Sequence, residues 1–198
     1  YAISTFYDVV RFCSLNNVKN VFPQSYLGKV HKMVDIARRF IYPDYTMSLF
    51  SDTKQLSESE IMNFLSTWSE IYPLTENTVL SRSYNESGFY FLCNGWNMNS
   101  TIMPIKAGPP AFYHSQPDNG TFEYWRKGRN FFPDSGYYSY SGDDTINAQR
   151  DWFRQTRVHN TLTLNGENIE ETNTKLLRFK RMPRKTILKI QNQVIVHF

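Results

Sequence analysis

Long apolar runs are missing from this sequence. No stretch is long enough to cross a bilayer as a helix, and no signal-peptide pattern is visible. No membrane insertion is therefore expected. Cysteine is scarce, with only Cys13 and Cys93. A zinc-type cysteine spacing is excluded, and the apolar neighbours of both favour buried free thiols, with a single disulfide as the alternative. Acids vanish from Thr172 to Phe198, where Lys175, Arg178, Lys180, Arg181, Arg184, Lys185 and Lys189 all fall. A stripe of this kind suits a polyanion. It also suits a solvated strand edge, whose lysines discourage edge-to-edge pairing. No nucleic-acid motif accompanies the charge, so no nucleic-acid partner is expected. The chain opens without Met, inside an amphipathic pattern, and stops inside an alternating one (Val194, Val196, Phe198). A piece of a longer protein is expected.

What is present is a globular composition: 40% hydrophobic and 20% charged over 198 residues, net charge +4. That length supports one good core or two small ones. Aromatics reach 16%, with 13 Tyr, 15 Phe and 4 Trp. Such faces stack on sugar rings, and they build a large β core equally well.

The first third reads as helix. Ile3, Phe6, Val9, Val10, Cys13 and Leu15 recur at helical spacing, and Asn16-Asn17 is a stop. A second helix is predicted from Gln24 to Phe40, closed by Pro43. A third begins at the capping box Ser57-Glu58-Ser59-Glu60 and runs to Pro73. Three helices bury their faces poorly alone, so further helices are expected before them. Beyond Thr78 the pattern turns to strands. Candidates are Ser81–Tyr84, Gly88–Cys93, Thr121–Trp125, Asn130–Phe132, Asn160–Leu164, Thr174–Phe179 and Thr186–Ile190. Asn165-Gly166 and Asn192-Gln193 are hairpin signals, the first stronger. The class is α+β: helices first, then an antiparallel sandwich.

Three segments carry chemistry. The first is Phe112-Tyr113-His114-Ser115-Gln116-Pro117-Asp118-Asn119-Gly120-Thr121-Phe122. The second is Gly128-Arg129 to Asp134-Ser135-Gly136. The third is Arg150-Asp151-Trp152 to His159-Asn160-Thr161. In an extended segment His114 and Gln116 share a face. Asp134 is expected to end a strand and His159 to begin one. His, Asp and a neutral oxygen donor on nearby strands could hold a divalent cation. Taken one at a time, each is as readily a satisfied core residue or a turn. Arg150, Arg154 and Arg157 suit sulfates or carboxylates, or else pair with Asp143, Asp144 or Asp151. Trp125 and Trp152 stack on sugar or simply pack.

Together and in this order, the three segments resemble the central motifs of heparinase II/III-type polysaccharide lyases. The likeness is good from about Arg82 to Gly166 and looser over the helical start. The form His-x-Gln-Pro-Asp-Asn-Gly-Thr-Phe is closer to the heparinase III type, since the heparinase II pattern has a second His where Gln116 stands. The resemblance implies an incomplete α/α toroid ending over residues 1–78 and an antiparallel β-sandwich starting over 79–198, with the active site in the cleft between. It implies cleavage of heparan sulfate by β-elimination at uronic acid. The alternatives are a non-catalytic sugar-binding sandwich, or a lyase of this type for alginate or another uronate polymer such as chondroitin.

By the same resemblance His114 is the catalytic base or assists it. Gln116, Asp134 and His159 match a structural metal site. Gln in place of His makes calcium or manganese as suitable as zinc. Arg150, Arg154 and Asn119 are assigned to substrate. The family's catalytic Tyr and Asn lie upstream; Tyr1 is out of register by a few residues and is not assigned. An acidic glycosaminoglycan partner, a monomer, and a bacterial periplasmic or secreted location are implied. Sequons at Asn85, Asn99 and Asn119 agree with a bacterial source, because a glycan on Asn119 would block the motif.

Overall fold

The computed structural model describes residues 2–73, 80–109, 114–163, 165–170, 173–182 and 185–192. Three helices come first: α1 (Ala2–Leu15), α2 (Gln24–Arg39) and α3 (Glu58–Ser69). All three match the predicted spans. The Ser57 cap is a full capping box: its hydroxyl accepts from the Glu60 amide, and the Glu60 carboxylate accepts from the Ser57 amide. The helices bury Tyr7, Val10, Val30, Val34, Ile61 and Trp68 in one cluster. The Tyr7 hydroxyl donates to the Thr67 carbonyl, joining α1 to α3. The opposite face of α1 leaves Phe6, Val9, Phe12 and Leu15 exposed.

The sheet part is a five-stranded antiparallel meander. Its strands are β1 (Arg82–Tyr84), β2 (Phe89–Cys93), β3 (Thr101–Lys106), β4 (Trp125–Arg126) and β5 (Arg129–Asn130), in that spatial order. Helix α4 (Asp144–Phe153) follows, then the hairpin pair β6 (Thr174–Met182) and β7 (Lys185–Asn192). The hairpin turns Leu176, Phe179, Leu188 and Ile190 onto Tyr90, Ile105 and Ala107 of the first sheet. Gly88 and Gly108 meet where β2 begins. Gly88 has φ +71, and a Cβ there would sit 2.2 Å from the Gly108 Cα, so neither tolerates a side chain.

Sequence reasoning missed β3 because Pro104 lies inside it, and proline reads against an interior strand. Pro104 is accommodated because the side its missing N–H would face holds the irregular 121–124 stretch, which bridges β3 only at Phe122. Helix α4 was missed because none of its residues is buried and no apolar stripe marks it. Its cue was Asp143, whose carboxylate accepts from the Ile146 amide. Regular pairing in Thr121–Trp125 is confined to the bridge at Phe122 and the start of β4, and Asn130–Phe132 is strand only at Asn130. Residues 160–163 form no strand, and Leu164 lies outside the described residues. Asn165 and Gly166 do form a turn with both φ values positive, but no described strands flank it. Strands β6 and β7 pair antiparallel; residues 183–184 between them, and Gln193, lie outside the described residues.

Both cysteines are half-buried, and neither is in a disulfide. Burial pushes the Cys93 thiol up. No helix is long and apolar enough to cross a membrane among the described residues.

Candidate active site

The two parts are joined through the stretch between α2 and α3. Tyr42 stacks on Trp125 at 5.7 Å and 8°, an arrangement contributing about 0.5–1.5 kcal/mol beyond area burial. The Trp125 indole donates to Asp44, so this tryptophan is a packing residue. Beneath it lies Glu123, wholly buried. Its carboxylate accepts from the Tyr42 hydroxyl (2.7 Å), the Leu49 amide (2.8 Å), the Asn130 side chain (2.7 Å) and the Asp134 amide (3.2 Å). Desolvation raises the Glu123 pKa despite these four donors. The Tyr42 hydroxyl is pushed well up by burial, with the Glu123 charge adding to it.

Around this joint the motif residues converge. Asp134 is buried, and its carboxylate accepts from Thr121 (2.9 Å) and the Gly136 amide (3.2 Å) and stands 2.9 Å from His159 Nδ1. Asp134 ends no strand, and His159 begins none. His159 instead follows the 3-10 turn Thr156–Val158, which brings its ring onto Asp134 across 25 residues. Among the described residues His159 Nε2 and Gln116 Oε1 are buried without partners. His114 and Gln116 do not lie in an extended segment, since His114 has φ +58. They nevertheless share a partner. Gln116 Nε2 donates to Asp52 Oδ1 at 2.7 Å, and His114 Nδ1 stands 3.4 Å from Asp52 Oδ2. The His114 side chain is 69% exposed, and its ring meets Tyr140 edge-on at 5.5 Å.

A cavity of 930 Å³ opens beside His114, between the helices and the sheet. Phe40, Phe50, Asp52, Phe64, Phe89 and His114 are among its lining. Arg154 packs behind the motif, its Nη2 donating to the Ser115 carbonyl at 3.3 Å. Arg150, Arg154 and Arg157 form no ion pair with Asp143, Asp144 or Asp151 among the described residues. Asn119 is buried: its carbonyl oxygen accepts from the Gly108 amide and its amino group donates to Thr174. That amide braces the motif against β6. Among the described residues no three His, Cys, Asp or Glu side chains form a cage; the candidate donor set is one carboxylate, one imidazole and one amide.

Asp52, Glu123 and Tyr140 escaped the sequence reading. Nothing in Phe50-Ser51-Asp52 marks a site, because its meaning depends on what folds over it. Glu123 had a signal, an acid placed inside an apolar strand candidate.

Known proteins agree with this architecture. The heparinase II/III N-terminus family matches residues 1–79, and the heparinase II/III-like C-terminal family matches residues 77–194. The chain belongs to the heparinase II/III family. Within it, a heparin-sulfate lyase of Bacteroides stercoris is 40% identical over 185 residues, covering 86% of this chain and 28% of that protein. One from Pedobacter heparinus is 38% identical over 167 residues, covering 77% and 25%. The crystal structure of a heparan sulfate lyase from Pedobacter heparinus superposes with TM-score 0.88 at 34% identity, over 96% of this chain and 32% of that one. A heparinase III structure gives 0.87 at 37% identity. This heparinase II/III chain thus spans between a quarter and a third of the length of these relatives, and its mixed helical and antiparallel architecture is theirs.

Proposed function

We propose that this chain is part of a polysaccharide lyase that cleaves heparan sulfate by β-elimination at uronic acid residues. The observation that carries the reading is His114. Its ring is open beside the cavity, while Gln116, Asp118, Asn119, Asp134 and His159 behind it are buried. A buried scaffold holding one open imidazole is what proton abstraction asks for.

In the reaction the C5–H bond breaks and His114 receives the proton. The electron pair becomes the C4–C5 double bond, and the C4–O bond breaks. The departing glycosidic oxygen takes a proton from a group supplied upstream of this sequence. Neutral imidazole suits the first task at neutral pH. The C5 proton is acidic only if the neighbouring carboxylate is neutralised, and Arg150 and Arg154 are the cations assigned to that carboxylate or to sulfates. Asn119 serves by bracing the motif.

The architecture proposed is the end of an α/α toroid over residues 1–78 and the start of a β-sandwich over 79–198. The exposed apolar face of α1 suits neighbouring toroid helices, and the packing of β6 and β7 on the first sheet suits a sandwich. A divalent cation (calcium, manganese or zinc) is assigned to Gln116, Asp134 and His159; the support is that Gln116 Oε1 and His159 Nε2 are buried with no partner among the described residues, a costly state that a bound ion relieves. When bound, such an ion ties the His114 segment to His159. A monomer in the bacterial periplasm or secreted completes the reading.

The test is ultraviolet absorbance of unsaturated uronate, using the full-length protein and its His114→Ala variant on heparan sulfate, alginate and chondroitin sulfate. A rise with heparan sulfate that disappears in the variant is expected; retained activity would remove His114 from the mechanism. A second reading, binding without cleavage, draws on the hairpin. Arg178 stands directly opposite Lys189, a like-charge pair that costs stability without an anion. Heparan sulfate retention without any absorbance rise would favour it.

A further inference from the structure

Asp52 lies on the helical side of the chain, in the loop after the Ile41–Met47 bridge. That loop is stapled to the sheet side at every step. The Leu49 amide donates to Glu123 at 2.8 Å. The Ser51 amide and hydroxyl both donate to Asp118, at 3.1 and 2.9 Å. The Tyr137 amide donates to the Thr53 carbonyl at 3.2 Å, and the Tyr140 hydroxyl donates to the Asp52 carbonyl at 3.2 Å. Asp118 is itself buried and ion-paired with Lys106. Gly136 completes the joint, since a Cβ there would lie 2.8 Å from the Thr53 carbonyl oxygen.

This fixed backbone aims a carboxylate that is only 7% exposed. A carboxylate so buried needs donors, and among the described residues Gln116 at 2.7 Å and His114 at 3.4 Å face it. An imidazole as open as that of His114 has few contacts among the described residues to select its rotamer. Its other close partner is the edge of Tyr140.

We infer that Asp52 is the positioning residue of this site. One of its oxygens holds the Nδ1 edge of His114, which turns Nε2 away from the carboxylate and leaves it free for substrate. The other oxygen holds the Gln116 amide, and so fixes which way Gln116 Oε1 points. A single carboxylate from the helical part thereby sets the orientation of two motif residues from the sheet part. The site is assembled only when both parts are docked. A group that orients a functional side chain in this way is worth about 10–100-fold in activity. The inference rests on the proposed role of His114.

The experiment uses the full-length protein with Asp52→Asn, Asp52→Glu and Asp52→Ala, on heparan sulfate. Asn keeps the size and still accepts from Gln116, but its amino group cannot accept from His114. The expected result is a kcat lowered about 10–100-fold with KM changed by less than about twofold, and partial recovery with Glu. A merely structural residue would lower the melting temperature and leave kcat per folded molecule unchanged. Crystal structures of the wild type and Asp52→Ala give a readout independent of activity: the His114 ring is expected to turn away in the variant. An Asn variant within about twofold of wild-type kcat, or an unturned ring in the Ala variant, overturns the inference. A wild type that makes no unsaturated uronate would instead refute the lyase reading, and the ring orientation would still decide the role of Asp52.

Discussion

Removing the Glu123 carboxylate should loosen the joint between helices and sheet, and the structure sets the scale. Glu123→Ala strips four donors of their acceptor. The Tyr42 hydroxyl can turn, because Ser48 lies 3.1 Å from it. The Leu49 and Asp134 amides cannot turn. Each orphaned buried donor costs about 1–3 kcal/mol. Relief from holding a desolvated carboxylate offsets part of that, for a net loss of about 3 kcal/mol. The assay is amide hydrogen exchange in the full-length protein, read at Leu49 and Asp134, where such a loss speeds exchange about 100-fold. Unchanged exchange at both amides would refute the reasoning. The pH dependence follows from the raised pKa. The folded protein holds this proton more firmly than the unfolded chain, so Glu123 destabilises the fold as pH rises through the window between the ordinary value of 4.5 and the raised one. Stability of the wild type relative to Glu123→Gln is therefore expected to grow as pH falls from neutral towards 4.5. A flat difference over that range would contradict the burial argument.

Gly88→Ala should cost more than about 1–3 kcal/mol, because positive φ and the Gly108 backbone both oppose a Cβ; an unshifted thermal melt would show the approach to be looser. Ser57→Ala should lose about 1 kcal/mol through the capping box, and Ser57→Asp should retain most of it, as read by thermal denaturation. Chelation should lower the melting temperature of the wild type and leave that of His159→Ala unmoved. Elemental analysis finding no bound calcium, manganese or zinc, with no chelator response, would dismiss the cation.

The sequence by itself determined the local structure and the family. Apolar spacing and a capping box set the bounds of α1 to α3, since those signals act within a turn or two of helix. The motif segments around His114, Asp134 and His159 identified the heparinase II/III family, because their order and spacing are specific even where their geometry is not. Tertiary structure decided what the spacing could not. It put a proline inside β3, because the irregular neighbouring stretch makes no demand on the missing N–H. It formed α4 on the surface without an apolar stripe. It brought His159 onto Asp134, and Asp52 onto His114 and Gln116 across more than 60 residues. Such meetings depend on how two independently patterned parts dock, and docking is set by buried joints such as Glu123 and the Tyr42–Trp125 stack rather than by any residue's neighbours in the chain.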